Sequence, residues 1–322
     1  MVVPCWYAMS NHFAPPPSSF AHLRPTNARG ALILTAGCLV TALAIVLSAR
    51  AGWLGWIVGQ TALAVVLVHW FTVLHEAGHR TLFRSRRLNA AAGYLAGFVA
   101  MIPFRSWLRV HARHHKWTGW QDLDPTAEGL VRDDLSRLQR TIVNVCWRCW
   151  IPLFSILYRL ENYWNLRRLA AMFPGRDDRR AMLVNASLQL ASYVAVIALL
   201  GPMFVLNGFL GGLILSLMLE DLLLLSQHTQ VPVQLSRGHT VSPVPAIEQA
   251  AFTRSLRLPP WASALLLHFD AHELHHMYPF VPGYHLRRVE YQPPNEIGWW
   301  AWLRASKRMD GVTLLFQLRA DH

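Results

Sequence analysis

Three stretches of this chain carry the residue types and spacing that could do chemistry: His75-Glu76-Ala77-Gly78-His79, His111-Ala112-Arg113-His114-His115 and His272-Glu273-Leu274-His275-His276. Each places imidazoles three or four residues apart. On a helix that spacing sets them on one face, about one turn apart. Eight imidazoles on three converging faces can hold more than one metal ion. The nearly pure imidazole set suits iron, zinc, copper or nickel, and spacing alone does not choose among them.

Two of the stretches, 75–79 and 272–276, also fit H-E-x-x-H, in which Glu acts as the general base of a zinc protease. A protease needs one such motif and a third ligand, usually a carboxylate. That reading leaves His111, His114, His115 and His275 without a purpose. A metal transporter would place its ligands inside membrane spans, whereas these histidines mostly follow them. A purely structural metal site is the remaining alternative. A two-metal centre at a membrane face fits a different task, oxidation of an aliphatic C–H bond. Such a bond offers no polar handle to acid–base chemistry. Iron-activated O₂ can remove its hydrogen while the protein positions the chain and excludes water. Glu76 and Glu273 then read as groups that orient imidazoles, or as solvated acids.

The elements that position these clusters read as membrane helices. Of 322 residues, 53% are apolar and only 15% charged, against about 25% charged in soluble proteins. Mean hydropathy is +0.24. The net charge of +12 comes almost wholly from Arg. The Arg residues flank apolar spans, where they orient a membrane protein and meet anionic head groups. With none of the usual nucleic-acid motifs present, nucleic acid is excluded as a partner. Cys146 and Cys149 form a lone C-x-x-C among Trp and Ile. With Cys5 and Cys38 they read as thiols in a reducing compartment. No secretory signal is apparent, and residues 1–30 read as a cytosolic tail ahead of a membrane domain, 31–322.

Four spans are expected, at 31–49, 51–74, 181–200 and 203–225, in two tight hairpins. The apolar stretch 89–104 is short for a span and reads as re-entrant or interfacial. Residues 141–158, Trp- and Ile-rich but broken by Arg148 and Pro152, read as an interfacial amphipathic helix. The fold class is therefore all-α and integral to the membrane, with interfacial helices and a histidine-rich cap. The positive-inside rule puts both termini and all three clusters on the cytoplasmic side, in a bacterial inner membrane. Glu220 and Asp221 fall inside the last span, where carboxylates face a protein interior or cavity. His228 follows that span as the first cluster follows the second, so it should lie at the same depth and is the candidate ninth ligand. Asp221, seven residues earlier, could orient it. His69, His239, His268 and His285 are weaker candidates.

The order H-x-x-x-H, H-x-x-H-H, H-x-x-H-H resembles the membrane fatty-acid desaturase superfamily. So do the surroundings: the run from His79 to Asn89 after the first cluster, Thr118-Gly119 with Asp122-Leu123-Asp124-Pro125 after the second, and His275-His276-Met277-Tyr278-Pro279-Phe280-Val281-Pro282 at the third. The match covers roughly residues 60–290. The resemblance implies four membrane helices, a cytosolic cap, a non-haem di-iron centre with O₂ as co-substrate, and a lone histidine at the end of the fourth helix. It also implies an external electron donor, such as a ferredoxin with its reductase, because this chain shows no haem or iron–sulfur motif. A lipid or fatty-acyl substrate follows, with desaturation the expected reaction. Hydroxylation, carotenoid ketolation or hydroxylation, and alkene-forming decarboxylation are sister activities. The additional E-H-x-x-G-H-H box of alkane hydroxylases is absent.

Overall fold

The computed structural model describes residues 18–131 and 134–316. Its framework is helical. Helices α1 (Asn27–Arg50) and α2 (Gly52–His79) form a hairpin. Its corner is Gly52, whose φ of +64° is the left-handed region that glycine enters without strain. A short pair follows, α3 (Arg86–Val99) and α4 (Phe104–Trp117), then α5 (Arg137–Arg148), α6 (Leu153–Arg159) and α7 (Leu166–Met172). The second hairpin is α8 (Arg176–Leu200) and a segment of α9 (Pro202–Val205), a π turn (Leu206–Leu210) and α10 (Gly211–His228). The rest is mostly loop. It carries α11 (Pro260–Leu265), α12 (His272–Met277), α13 (Gly283–Leu286), α14 (Trp299–Lys307), α15 (Gly311–Leu315) and a two-residue parallel pairing of β1 (Leu256–Arg257) with β2 (Ile297–Gly298).

Among the described residues, four helices are long and apolar enough to cross a membrane. They are not equivalent. Over the most apolar stretch of α2, 72% of residues are buried, against 11% in α8. α2 is thus the central post, packed by α1, α3 and α10, while α8 presents Leu188, Val194 and Leu199 outward as a lipid-facing surface. α3, at 14 residues, is about 21 Å long and falls short of a bilayer. Its small residues Ala92, Gly93, Ala96 and Gly97 are buried, and the chain turns back through Met101 and Ile102 into α4, as a re-entrant segment would.

Several boundaries differ from those the sequence suggests. α2 continues through His79 and α10 through His228, beyond the span ends expected at 74 and 225, so the first cluster and His228 are the last turns of the spanning helices themselves. α8 begins at Arg176, with Asp177 and Asp178 in its first turn, where carboxylates complement the helix dipole. The single helix expected at 141–158 is two helices bent by 113°, because Trp150 adopts φ +60° and Pro152 follows. Residues 18–30 are not a tail. Leu23 is buried, and Phe20 packs on Tyr278 and Phe280 with centroids 5.1 and 5.5 Å apart. Residues 1–17, with Cys5, lie outside the described residues.

The carboxylates in the fourth span have partners. Glu220 accepts from Arg159 at 2.6 Å, and the same guanidinium reaches Ala100 O. Asp221 accepts from Ser155 N at 2.6 Å. α6 is thereby fixed to α10; Glu220 is paired with Arg159 and Asp221 is hydrogen-bonded, which makes carboxyl groups tolerable in this setting.

Candidate metal centre

Nine imidazoles meet where α2, α4, α10 and α12 converge, and they sort into two groups. His75, His79, His111, His115 and His275 form one; His114, His228, His272 and His276 form the other. Within each group the candidate ligand atoms all lie within 4.8 Å of one another. Helical spacing explains the sorting. The i, i+4 pairs 75/79, 111/115 and 272/276 each stay in one group, while the i+3 residues His114 and His275 turn to the other. Both H-x-x-H-H clusters therefore serve both groups. His115 and His276 stack across the boundary at 4.4 Å between centroids.

The arrangement fits metal ions better than it fits hydrogen bonding. His111 Nε2 is approached by His79 Nε2 at 2.7 Å and His115 Nε2 at 3.1 Å. His272 Nε2 is approached by His228 Nε2 at 2.7 Å and His276 Nε2 at 3.1 Å. Two nitrogens about 2.1 Å from one ion and at right angles stand about 3.0 Å apart. Both ring nitrogens of His75 are buried without a hydrogen-bond partner, an orphaning that native interiors seldom tolerate. Burial, and then the neighbouring imidazoles, push His111, His115, His272, His275 and His276 well below the usual histidine pKa. They are held neutral, the form that binds metal.

The first cluster's glycine has a steric reason. A Cβ at Gly78 would run into the Trp107 ring, which stacks on His111 at 4.3 Å. Glu76 and Glu273 do not touch the groups' metal-facing side. Glu76 accepts from Thr81 Oγ1 and Gly283 N, both at 2.7 Å, and its Oε1 lies 3.4 Å from His75 Nδ1. Glu273 accepts from Ser255 N at 3.2 Å and Asn295 N at 3.1 Å. Both carboxylates brace backbone segments, and Glu76 in addition stands beside the His75 ring, while Glu273 meets backbone donors. Asp221 is likewise engaged by Ser155 N rather than by the His228 ring, since α6 packs against that face of α10.

The orienting partners are residues that sequence reasoning did not select. Asp124 Oδ2 accepts from His114 Nδ1 at 2.7 Å, and Asp124 Oδ1 accepts from Thr126 N and Oγ1. Burial raises the Asp124 pKa, but the His114 ring and these hydrogen bonds outweigh it and hold the carboxyl below its ordinary value. Gln249 Oε1 lies 2.9 Å from His276 Nδ1 while its Nε2 donates to His115 O at 2.8 Å. The Asp122-Leu123-Asp124-Pro125 run was a signal for Asp124; Gln249 sits in a Pro-rich loop with none. The weaker histidines are elsewhere engaged. His69 Nδ1 lies 2.7 Å from Leu265 O, His268 Nδ1 2.7 Å from Ser263 Oγ, and His285 bonds Arg29. His239 is exposed.

A narrow cavity of about 70 Å³ runs against both groups, touching His75 and His111 of one and His114, His228 and His272 of the other. Its other walls include Phe71, Trp107, Phe154, Leu224 and Phe269.

A membrane-helix bundle whose histidines form two groups of candidate metal ligands against one cavity has the form of a membrane metalloenzyme. The family model for fatty acid desaturases matches residues 51–296, and the chain belongs to that family. It is similar to a sn-1 oleoyl-lipid 12-desaturase of Picosynechococcus, 25% identical over 85% of this chain and 78% of that protein. A probable fatty acid desaturase of Sorghum bicolor is 24% identical over 77% of this chain and 65% of its own length. A ferredoxin-linked sn-1 acyl-lipid omega-3 desaturase of Synechocystis is 23% identical, over 73% and 71% respectively. The chain is an oxidoreductase of fatty-acid desaturase type.

Proposed function

We propose that this enzyme uses two non-haem irons and O₂ to introduce a C=C bond into a fatty-acyl chain of a membrane lipid. The observation that carries this reading is the apolar cavity lying against both histidine groups at once. His75, His79, His111, His115 and His275 would hold one iron, and His114, His228, His272 and His276 the other. Bound there, the irons would supply the oxidising power that an unactivated C–H bond requires.

The protein's own part is positioning and exclusion. Phe71, Trp107 and Phe269 line the part of the cavity beside the histidine rings. A narrow apolar slot suits an unbranched methylene run, which such walls hold by contact alone. Asp124, below its ordinary pKa, keeps the proton on His114 Nδ1, leaving Nε2 free as the ligand atom. With Glu76 and Glu273 both bracing backbone, neither stands ready as the base of an H-E-x-x-H protease.

Electrons would come from an external donor such as a ferredoxin with its reductase, in keeping with the name of the Synechocystis relative. The Arg-rich segments around the centre support a cytoplasmic active site on a bacterial inner membrane. Mass spectrometry of lipids from cells with and without the gene, grown with and without O₂, tests the reading. An O₂-dependent acyl species lighter by two hydrogens is expected. A hydroxylated or keto product, or a shortened terminal alkene, would reassign the enzyme to a sister activity.

A further inference from the structure

On the opposite side of α4 from the apolar cavity lies a second, larger cavity of about 880 Å³. The two share no lining residue, and this one reaches the histidine groups at His79, His115 and His276. Its walls carry six cations, Arg80, Arg86, Arg105, Arg109, Arg113 and Lys116, against two carboxylates, Asp177 and Asp178. Arg109 is taken by Asp178. Arg113 Nε is buried with no hydrogen-bond partner. A guanidinium donor is not normally left so when a counter-group is at hand.

The basic cavity also runs into the lipid-facing side of the bundle. Tyr94, Arg105 and Ala181 line it and also line an adjoining groove of about 400 Å³ between α3 and α8. That groove continues past Val184 and Leu188, two outward-facing residues of the third span. A cationic chamber at one end and, at the other, a groove along a spanning helix that sets Phe98, Val184 and Leu188 beside Asn185, Gln189 and Ser192 match one chemistry, an anionic head group with an attached acyl chain.

We propose that this chamber is a binding site for one anionic phospholipid, its phosphate against Arg86, Arg113 and Lys116 and a tail along α8. Bound there, the lipid would close the open side of the histidine centre to water while the acyl substrate occupies the apolar side. The site is separate from the substrate cavity and does not depend on the reaction proposed above. A concave chamber continuous with the lipid-facing surface favours a lipid over an acidic protein, which needs a broad exposed face.

Native mass spectrometry of the full chain released from nanodiscs tests this. One set of nanodiscs contains phosphatidylglycerol and the other only phosphatidylcholine. One retained phosphatidylglycerol per chain is expected, with no retained phosphatidylcholine. The double variant R86Q/K116Q should lower retention at least tenfold, with metal content and melting temperature unchanged. R86K/K116R should restore it. Equal retention of both lipids, or of none, would overturn the proposal. So would displacement by millimolar inorganic phosphate, which would make this a simple anion site. Loss of binding to an acidic ferredoxin in R86Q/K116Q, with lipid retention unaltered, would assign the face to a protein instead.

Discussion

The two histidine groups stand side by side yet are built in different ways. The five-histidine group takes four rings from α2 and α4, helices of 28 and 14 residues. Apolar contact holds them: Trp107 stacks on His111, and Phe269 meets His75 edge-on at 4.8 Å. The four-histidine group takes one ring each from α4 and α10, and two from α12, which has only six residues. Hydrogen bonds from outside the cluster hold two of its rings, Asp124 on His114 and Gln249 on His276. One polar brace falls on His114 of α4 and the other on His276 of the six-residue α12, so polar support follows the four-histidine group rather than helix length.

The largest effect should come from His228→Ala, which removes one of four ligands and leaves the five-histidine group whole. Iron should fall from about two per chain toward one, and turnover should be abolished, while the protein stays folded in the membrane. His268→Ala, whose ring bonds Ser263 instead, should keep both. Full iron and near-normal activity in His228→Ala would remove it from the centre.

Asp124→Asn comes next. It keeps the shape but removes the negative charge beside His114, and should weaken metal binding at the four-histidine group by roughly 10–100-fold, read by chelator competition. Gln249→Ala should act in the same direction at the low end of that range. If both leave metal affinity alone, the contrast between polar and apolar support fails.

On the apolar side, Gly78→Ala should drive a methyl into Trp107 and destabilise the fold by about 1–3 kcal/mol, seen as a lower melting temperature. Smallest of all should be Glu76→Gln. An amide oxygen can still accept from Gly283 N and Thr81 Oγ1, so activity should fall only a few-fold. Complete loss with the fold intact would return Glu76 to the chemistry, as the protease reading requires.

Much of this was legible in the sequence because it rests on short-range spacing. The i, i+4 pairs and the four long apolar stretches are local signals. His228 could be placed by depth alone, since it ends a span as the first cluster does. The division of nine rings into five and four was not legible. It depends on how α12 docks against α4, a contact between residues about 160 apart. Asp221 was misjudged for the same reason, because α6 claims its carboxylate across 66 residues. Gln249 and the N-terminal packing of Phe20 on Tyr278 likewise exist only in three dimensions.

The central claim is that one chain holds two adjacent metal ions, five imidazoles at one and four at the other. Metal analysis of the purified full-length protein together with Mössbauer spectroscopy after ⁵⁷Fe growth tests it most directly. The account predicts about two irons per chain and two iron environments in equal amount, one of which is lost in His228→Ala. A single stoichiometric zinc, or one iron environment that survives His228→Ala unchanged, would contradict it.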